Sequence, residues 1–298
     1  MLVLMKNVDD NFELLDTATC KRNLVTREYL GNLVSSGAEI RGVSFIDNKL
    51  VLRTFESKLI KEKMLDNKTI LVLDINDNNI TAFRKVRNAI KSCDNIKVYN
   101  LSRITKMSDF FKGKVCSLDL SEFDTSQVTD MSCMFAGLET SKLDLSSFDT
   151  SKVETIMHMF SECNIGYIDM SGFNTSNITN MDGVFRYSVA DTIKGLEDFD
   201  TRRVVTMTDM FRGTSVDKIN LSSFDTSNVE WIDRTFMSSE IPVIDIHSFD
   251  LSHRFKNDLF MFKYCETNKI ILNSKSYKKY KKKIIKDCGK NVIVDWID

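Results

Sequence analysis

The stretch LDLSEFDTSQVTDMSCMF, from Leu118 to Phe135, returns as LDLSSFDTSKVETIMHMF from Leu143 and as IDMSGFNTSNITNMDGVF from Ile168. Each copy starts 25 residues after the one before. A degenerate copy, FDTRRVVTMTDMF, follows from Phe199, then INLSSFDTSNVEWIDRTF from Ile219 and IDIHSFDLSHRF from Ile244. The phenylalanines on which the copies align fall at positions 123, 148, 173, 199, 224 and 249, with a single interval of 26. ITKMSDFF from Ile104 matches the second half of the unit and IIL from Ile270 restarts the first, so the array covers residues 96–272. Self-similarity at a fixed period of this length marks a stacked architecture, in which no single unit can bury its own apolar face.

Two hydrophobic rhythms divide each unit. Leu118 and Leu120 flank Asp119, and Leu143 and Leu145 flank Asp144, the two-residue period of a short strand. Val128, Met131, Met134 and Phe135 then recur at three and four residues, which predicts a short helix of two turns. Strand, turn, helix and return loop make one coil, and stacked coils share parallel backbone hydrogen bonds at about 4.8 Å per layer. The serine of FDTSxV is placed to cap that helix, with Ser151 and Glu154, and Ser227 and Glu230, as capping boxes. Asp124, Asp149, Asn174, Asp200, Asp225 and Asp250 form a column suited to Asx turns. A calcium-binding reading of this column lacks the glycine-rich nonapeptide of calcium-binding β-rolls.

The LDLSxFDTSxVTxMxxMF unit resembles the BspA-like (bacterial surface antigen) class of leucine-rich repeats over residues 96–272. The resemblance implies an α/β leucine-rich-repeat solenoid of 6–7 coils used for protein binding, often in surface adhesins. The chain departs from the adhesin pattern in showing no readable secretion signal, lipobox or wall-anchoring tail.

Outside the array the pattern changes. Residues 1–95 read as an N-terminal α+β cap domain: a helix from Thr26, a hairpin turning at Asp47-Asn48, a helix from Ser57, a buried strand TILVLDI from Thr69, and a basic amphipathic helix from Ile80. A strand at Ile96 to Val98 leads into the array. Residues 273–298 read as a lysine-rich helix ending near Gly289, then a strand carrying Trp296. Six lysines between Lys278 and Lys286 fit a solvated face, with Tyr280, Ile284 and Ile285 packing over the last coil. That face is also the place where a nucleic-acid backbone or another anion would bind.

With 298 residues, 42% hydrophobic and 28% charged, the chain has globular composition and length for about two domains, and no apolar run long enough for a membrane helix. Its net charge of −1 hides a segregation: residues 1–114 carry +6, 115–262 carry −13 and 263–298 carry +6. Seven cysteines, with no CxxC pair, fit reduced thiols in a cytosol-like compartment.

No nucleophile, metal or phosphate motif is present, and the three histidines (His158, His247, His253) sit inside repeats. Asp74 and Asp77 follow a predicted strand but have no companion motif. The chain is therefore expected to be non-enzymatic, without cofactor or metal, and to bind a protein. Between the inward leucines the middle strand residue points outward. Down the stack those residues are Lys97, Asp119, Asp144, Asp169, Gly195, Asn220, Asp245 and Ile271. The stripe of Asp119, Asp144, Asp169, Asn220 and Asp245, with Ser121, Ser146 and His247 beside it, is the candidate site for a partner with a basic surface. The leading expectation is a cytoplasmic interaction module that targets a host or defence factor. The alternatives are an adhesin or exported effector at the cell surface or in a host cell, and a nucleic-acid binder using the basic termini.

Overall fold

The computed structural model describes residues 105–113, 117–121, 123–251, 256 and 260–298, together with the backbone of five strands nearer the N-terminus. These fall into two compact units, Met1–Ile104 with Cys116–Asp124, and Thr105–Val115 with Thr125–Asp298. In the first unit, β1 (Leu2–Lys6), β2 (Phe12–Asp16) and β3 (Lys21–Val25) form an antiparallel meander that the sequence reading did not foresee. The strand expected from Thr69 is β4 (Thr69–Leu73), which pairs in parallel with β5 (Asn95–Asn100), itself paired with β6 (Ser117–Asp119). The helices expected from Thr26, Ser57 and Ile80, the hairpin at Asp47-Asn48, and Asp74, Asp77 and His253 lie outside the described residues.

Among its described residues the second unit is a mixed α/β arrangement of short parallel strands and one α-helix, and none of the described sheets closes into a barrel. Strands β7 (Glu139–Asp144), β8 (Asn164–Asp169), β9 (Val189–Lys194) and β10 (Ser215–Val216) pair in chain order. Leu143 lies opposite Ile168 and Ile168 opposite Ile193, so the apolar letters of the repeat share one face. A second strip of parallel bridges joins Lys106, Asp130, Thr155, Asn180, Thr206 and Trp231 in that order. Each step of both ladders is one repeat.

The core of these layers holds two columns of phenylalanine. Phe111, Phe135, Phe160, Phe185, Phe211, Phe236 and Phe262 stack with centroids 5.3 to 5.7 Å apart and planes within 11°. Phe148, Phe173, Phe199, Phe224 and Phe249 form the second column at 6.0 to 6.4 Å. Near-parallel rings whose centroids are farther apart than the layers are offset, the stacking that the ring quadrupole favours.

The threonine of the FDTS motif ties the layers together. Thr125, Thr150, Thr175, Thr201 and Thr226 are all buried. The Thr150 hydroxyl donates to the Asn174 carbonyl at 3.0 Å and accepts the Asn174 amide at 2.7 Å; Thr175 does the same with Asp200, at 3.1 and 2.7 Å. One buried hydroxyl thus satisfies two main-chain groups of the next layer. The neighbouring aspartate closes the expected Asx turn: the Ser151 amide donates to Asp149 Oδ1 at 3.0 Å and the Ser227 amide to Asp225 Oδ1 at 2.8 Å.

The helices expected in each repeat are not formed. The only α-helix among the described residues is α1 (Ser274–Cys288). The VTxMxxMF segments are successive turns that pass through left-handed backbone twice, four residues apart: Cys133 and Gly137, His158 and Glu162, Gly183 and Tyr187, Asp209 and Gly213. The reason lies in where the amides go. Cys133, Phe135 and Gly137 donate to Met157, Met159 and Ser161 of the next layer at 2.7 to 2.9 Å, while Met134 and Ala136 bond back to Met131 and Cys133. A helix would keep every amide for its own chain, four residues back. Stacking claims every second amide, and the left-handed residues, costing roughly 1–2 kcal/mol each where they are not glycine, provide the alternation. Without a helix there is no capping box: the Glu154 amide joins the ladder to the Thr129 carbonyl.

The single 26-residue interval is also explained. Asp169 pairs with Lys194, and the turn after each strand is closed by the amides of Phe173 and Phe199 on Met170 and Leu196, so the inserted residue is Gly195. Its φ is +97°, and a Cβ there would lie 2.6 Å from the Met170 carbonyl carbon, so only glycine fits.

At the C-terminal end β11 (Val243–Asp245), β12 (Lys269–Asn273) and β13 (Ile293–Ile297) form a parallel sheet, with α1 between β12 and β13. Asn273 caps α1 by accepting the Ser276 amide at 2.9 Å, and its own amide donates to the Phe249 carbonyl at 2.7 Å. Tyr280 and Ile284 are buried, Ile285 is half-buried, and Lys278, Lys282 and Lys286 face solvent.

Candidate partner-binding face

The strand ladders of the second unit carry three of the residues singled out from the sequence, Asp144, Asp169 and Asp245. Asp144 and Asp169 are register partners on β7 and β8, and Asp245 pairs with Ile271 on β11 and β12. Asn220 lies outside the described strands, and Asp119 ends β6 in the first unit, opposite Lys97. The register corrects one member of the stripe: the residue beside Asp169 is Lys194, not Gly195, because the inserted glycine shifts the alignment by one. A cation therefore interrupts the row of carboxylates.

Each of these acidic or amide side chains closes the turn that follows it in the chain. Asp119 Oδ1 accepts the Ser121 amide at 3.2 Å and its hydroxyl at 2.7 Å, and Asp144 holds Ser146 in the same way at the same distances. Asn220 accepts the Ser222 amide at 3.1 Å. Asp245 accepts the His247 amide at 3.2 Å and lies 2.7 Å from the His247 Nδ1, so the imidazole stands where other layers have a serine hydroxyl. Sequence reasoning placed the serines and histidine beside the carboxylates without assigning them this turn-closing bond.

Asp169 is the most enclosed of the group, at 8% exposure. Burial pushes its pKa up, but the Ser171 hydroxyl and amide, the Lys194 ammonium at 3.0 Å and the Tyr167 hydroxyl at 3.1 Å outweigh it and hold the carboxyl at about 2. The Ser146 hydroxyl and the Lys142 ammonium lower Asp144. Asp144, unlike Asp169, remains open to solvent.

Beyond the stripe, the strands present a varied set of side chains. Lys142, Tyr167 and Thr192 are successive register partners, and Val243 pairs with Lys269. The Lys142 ammonium sits 5.9 Å from the centre of the Tyr167 ring. Val189 and Val243 are 49% and 44% exposed. Elsewhere on the unit, Arg186 and Arg212 bracket the exposed ring of Tyr187 at 4.9 and 5.4 Å. A shallow groove of about 560 Å³ is lined by Thr129, Lys152, Glu154, Asn177, Thr179 and Arg203. Its two cations are already engaged, Lys152 with Gln127 at 2.7 Å and Arg203 with Asn177 at 2.8 Å. The sequence reading missed Tyr167 and Tyr187, because it looked for what the repeats share and these residues occur in one layer each.

A family model, described as Mycoplasma protein of unknown function, DUF285, matches the chain over residues 77–190 and again over 164–275. The chain belongs to this family. Its two overlapping matches are repeat-like and agree with the BspA-like character of the unit. Neither the curated proteins nor the solved structures give a significant match. Among the described residues no helix is long and apolar enough to cross a membrane.

Proposed function

We propose that this chain is a non-enzymatic solenoid of the leucine-rich-repeat kind, built on the 25-residue unit, that binds a protein partner with a basic surface through the outward side of its strand ladder. One observation carries the reading: the contrast between the inside and the outside of the layers. Inward positions repeat nearly the same chemistry, an aliphatic residue, a phenylalanine and, from Thr125 to Thr226, a threonine, because each must match the layer above and below. Outward positions are less constrained: the carboxylate that closes each turn recurs at Asp144 and Asp169, but the position two residues before it changes at every step, as Lys142, Tyr167 and Thr192 show. Fixed spacing with varied side chains is a surface on which recognition can be written without disturbing the stack.

The sign of the partner follows from charge. Residues 115–262 carry −13, and Asp144, Asp191 and Asp217 are exposed on or beside the strands. Such a field favours a basic partner and speeds its encounter. Asp169 is locked in its own ion pair and contributes to the fold, so the test belongs on the exposed carboxylates. The immobilised chain is used to capture a partner, and affinity is then measured by titration calorimetry with the purified pair. Replacing Asp144, Asp191 and Asp217 together by lysine is expected to weaken binding at least tenfold, and added salt to weaken wild-type binding. An unchanged affinity, or capture of nucleic acid alone, would overturn the proposal.

A further inference from the structure

Cys265 and Cys288 are separated by 23 positions in the chain, and no short motif links them, yet their Sγ atoms lie 2.7 Å apart. That is closer than two unbonded sulfurs normally rest. Both residues are held where they are by bonds that do not involve the sulfurs. The Cys265 amide donates to the Phe262 carbonyl at 3.2 Å, the Tyr264 amide donates to the Asp287 carbonyl at 3.2 Å, and Cys288 is the last residue of α1. The Cys288 thiol in turn donates to the Phe262 carbonyl at 3.1 Å.

We propose that Cys265 and Cys288 are a modification site, a reversible disulfide that latches the C-terminal end of α1 to the last repeat turn under oxidising conditions. The two thiols differ in access, since Cys288 is half-buried whereas Cys265 is 4% exposed. Cys288 therefore meets a small oxidant such as hydrogen peroxide first. Its thiolate attacks one peroxide oxygen, the O–O bond breaks, and a sulfenic acid and one water result once protons are exchanged. The Cys265 sulfur then attacks the Cys288 sulfur, the S–O bond breaks, and the departing hydroxide takes the Cys265 proton as a second water. Two thiols lose two electrons and two protons, and one peroxide is reduced to two waters. The hydrogen bond with Cys288 and burial both raise the Cys265 pKa, which leaves the more accessible Cys288 as the sulfur that peroxide oxidises first.

The latch has a structural consequence. The closed loop contains all of β12 and nearly all of α1, the two elements that lead from the last repeat turn to β13. Fixing its ends restricts the unfolded chain and stabilises the folded one.

The test treats the full chain with a small molar excess of hydrogen peroxide, blocks remaining thiols with an alkylating agent, and maps the digest by mass spectrometry without reduction. A linked Cys265–Cys288 peptide is expected, with Cys133 and Cys163 alkylated. The melting temperature is expected to rise by several degrees and to return with dithiothreitol. Cys288→Ser is expected to abolish both the link and the rise; if that variant does not fold, the reduced and oxidised wild-type chains provide the comparison. Alkylation of both cysteines after peroxide, a link to a different cysteine, or a link without a rise in melting temperature would each overturn the latch.

Discussion

Replacing Thr175 by valine separates two accounts of how the layers are held. Valine has the shape of threonine, so no cavity forms, and an account based on apolar packing alone predicts no loss. The structure predicts otherwise. Thr175 is 1% exposed, and its hydroxyl donates to the Asp200 carbonyl at 3.1 Å and accepts the Asp200 amide at 2.7 Å. Losing two neutral hydrogen bonds, each worth about 1 kcal/mol net, gives an expected cost of about 2 kcal/mol. Thr175→Ser keeps the hydroxyl and loses one buried methyl, a cost of about 1 kcal/mol. Equilibrium urea unfolding, followed by far-ultraviolet circular dichroism and by the fluorescence of Trp231 and Trp296, orders the three proteins. Wild type is expected to be most stable, the serine variant next and the valine variant last, with unchanged m-values. A valine variant as stable as wild type, or more stable than the serine variant, would refute the threonine ladder as a source of stability.

Two further outcomes follow from the same geometry. Phe185, fully buried with Phe160 and Phe211 stacked on either side at 5.3 and 5.5 Å, is expected to cost about 3–5 kcal/mol on replacement by alanine, whereas alanine at Phe260, 44% exposed, is expected to change stability by less than about 0.5 kcal/mol; chemical denaturation measures both. Asp169 has a folded-state pKa of about 2 against an ordinary 3.8. Its ionised form is therefore the one the fold prefers, and it adds stability above pH 3.8 that is lost as the pH falls toward 2. The wild-type melting temperature is expected to drop more steeply across that window than that of Asp169→Asn, and equal slopes would contradict the assignment.

The step of about 25 residues between paired layers, the inward leucines and phenylalanines, the Asx column and the C-terminal helix with its following strand are legible in the sequence. They depend on residues close in the chain, or on identity between copies, and both survive in a string of letters. The middle of each unit was misread because a spacing of three and four residues is shared by a helix and by a pair of left-handed turns. The glycines two residues after Phe111, Phe135 and Phe211 were the signal that told them apart. The strand face was misread by one position for a similar reason: an insertion of one residue shows as an interval of 26, but its place at Gly195 depends on which backbone groups pair.

The chemistry of each layer's interior and the order in which layers succeed one another were thus written in the letters. Which amides leave their own layer, which carboxylates close turns, where Lys194 meets Asp169, and that Cys265 meets Cys288 emerged only once layers stood beside each other. Hydrogen bonds and ion pairs between residues some 25 positions apart follow from register, and register is a property of two layers together that neither layer's letters contain.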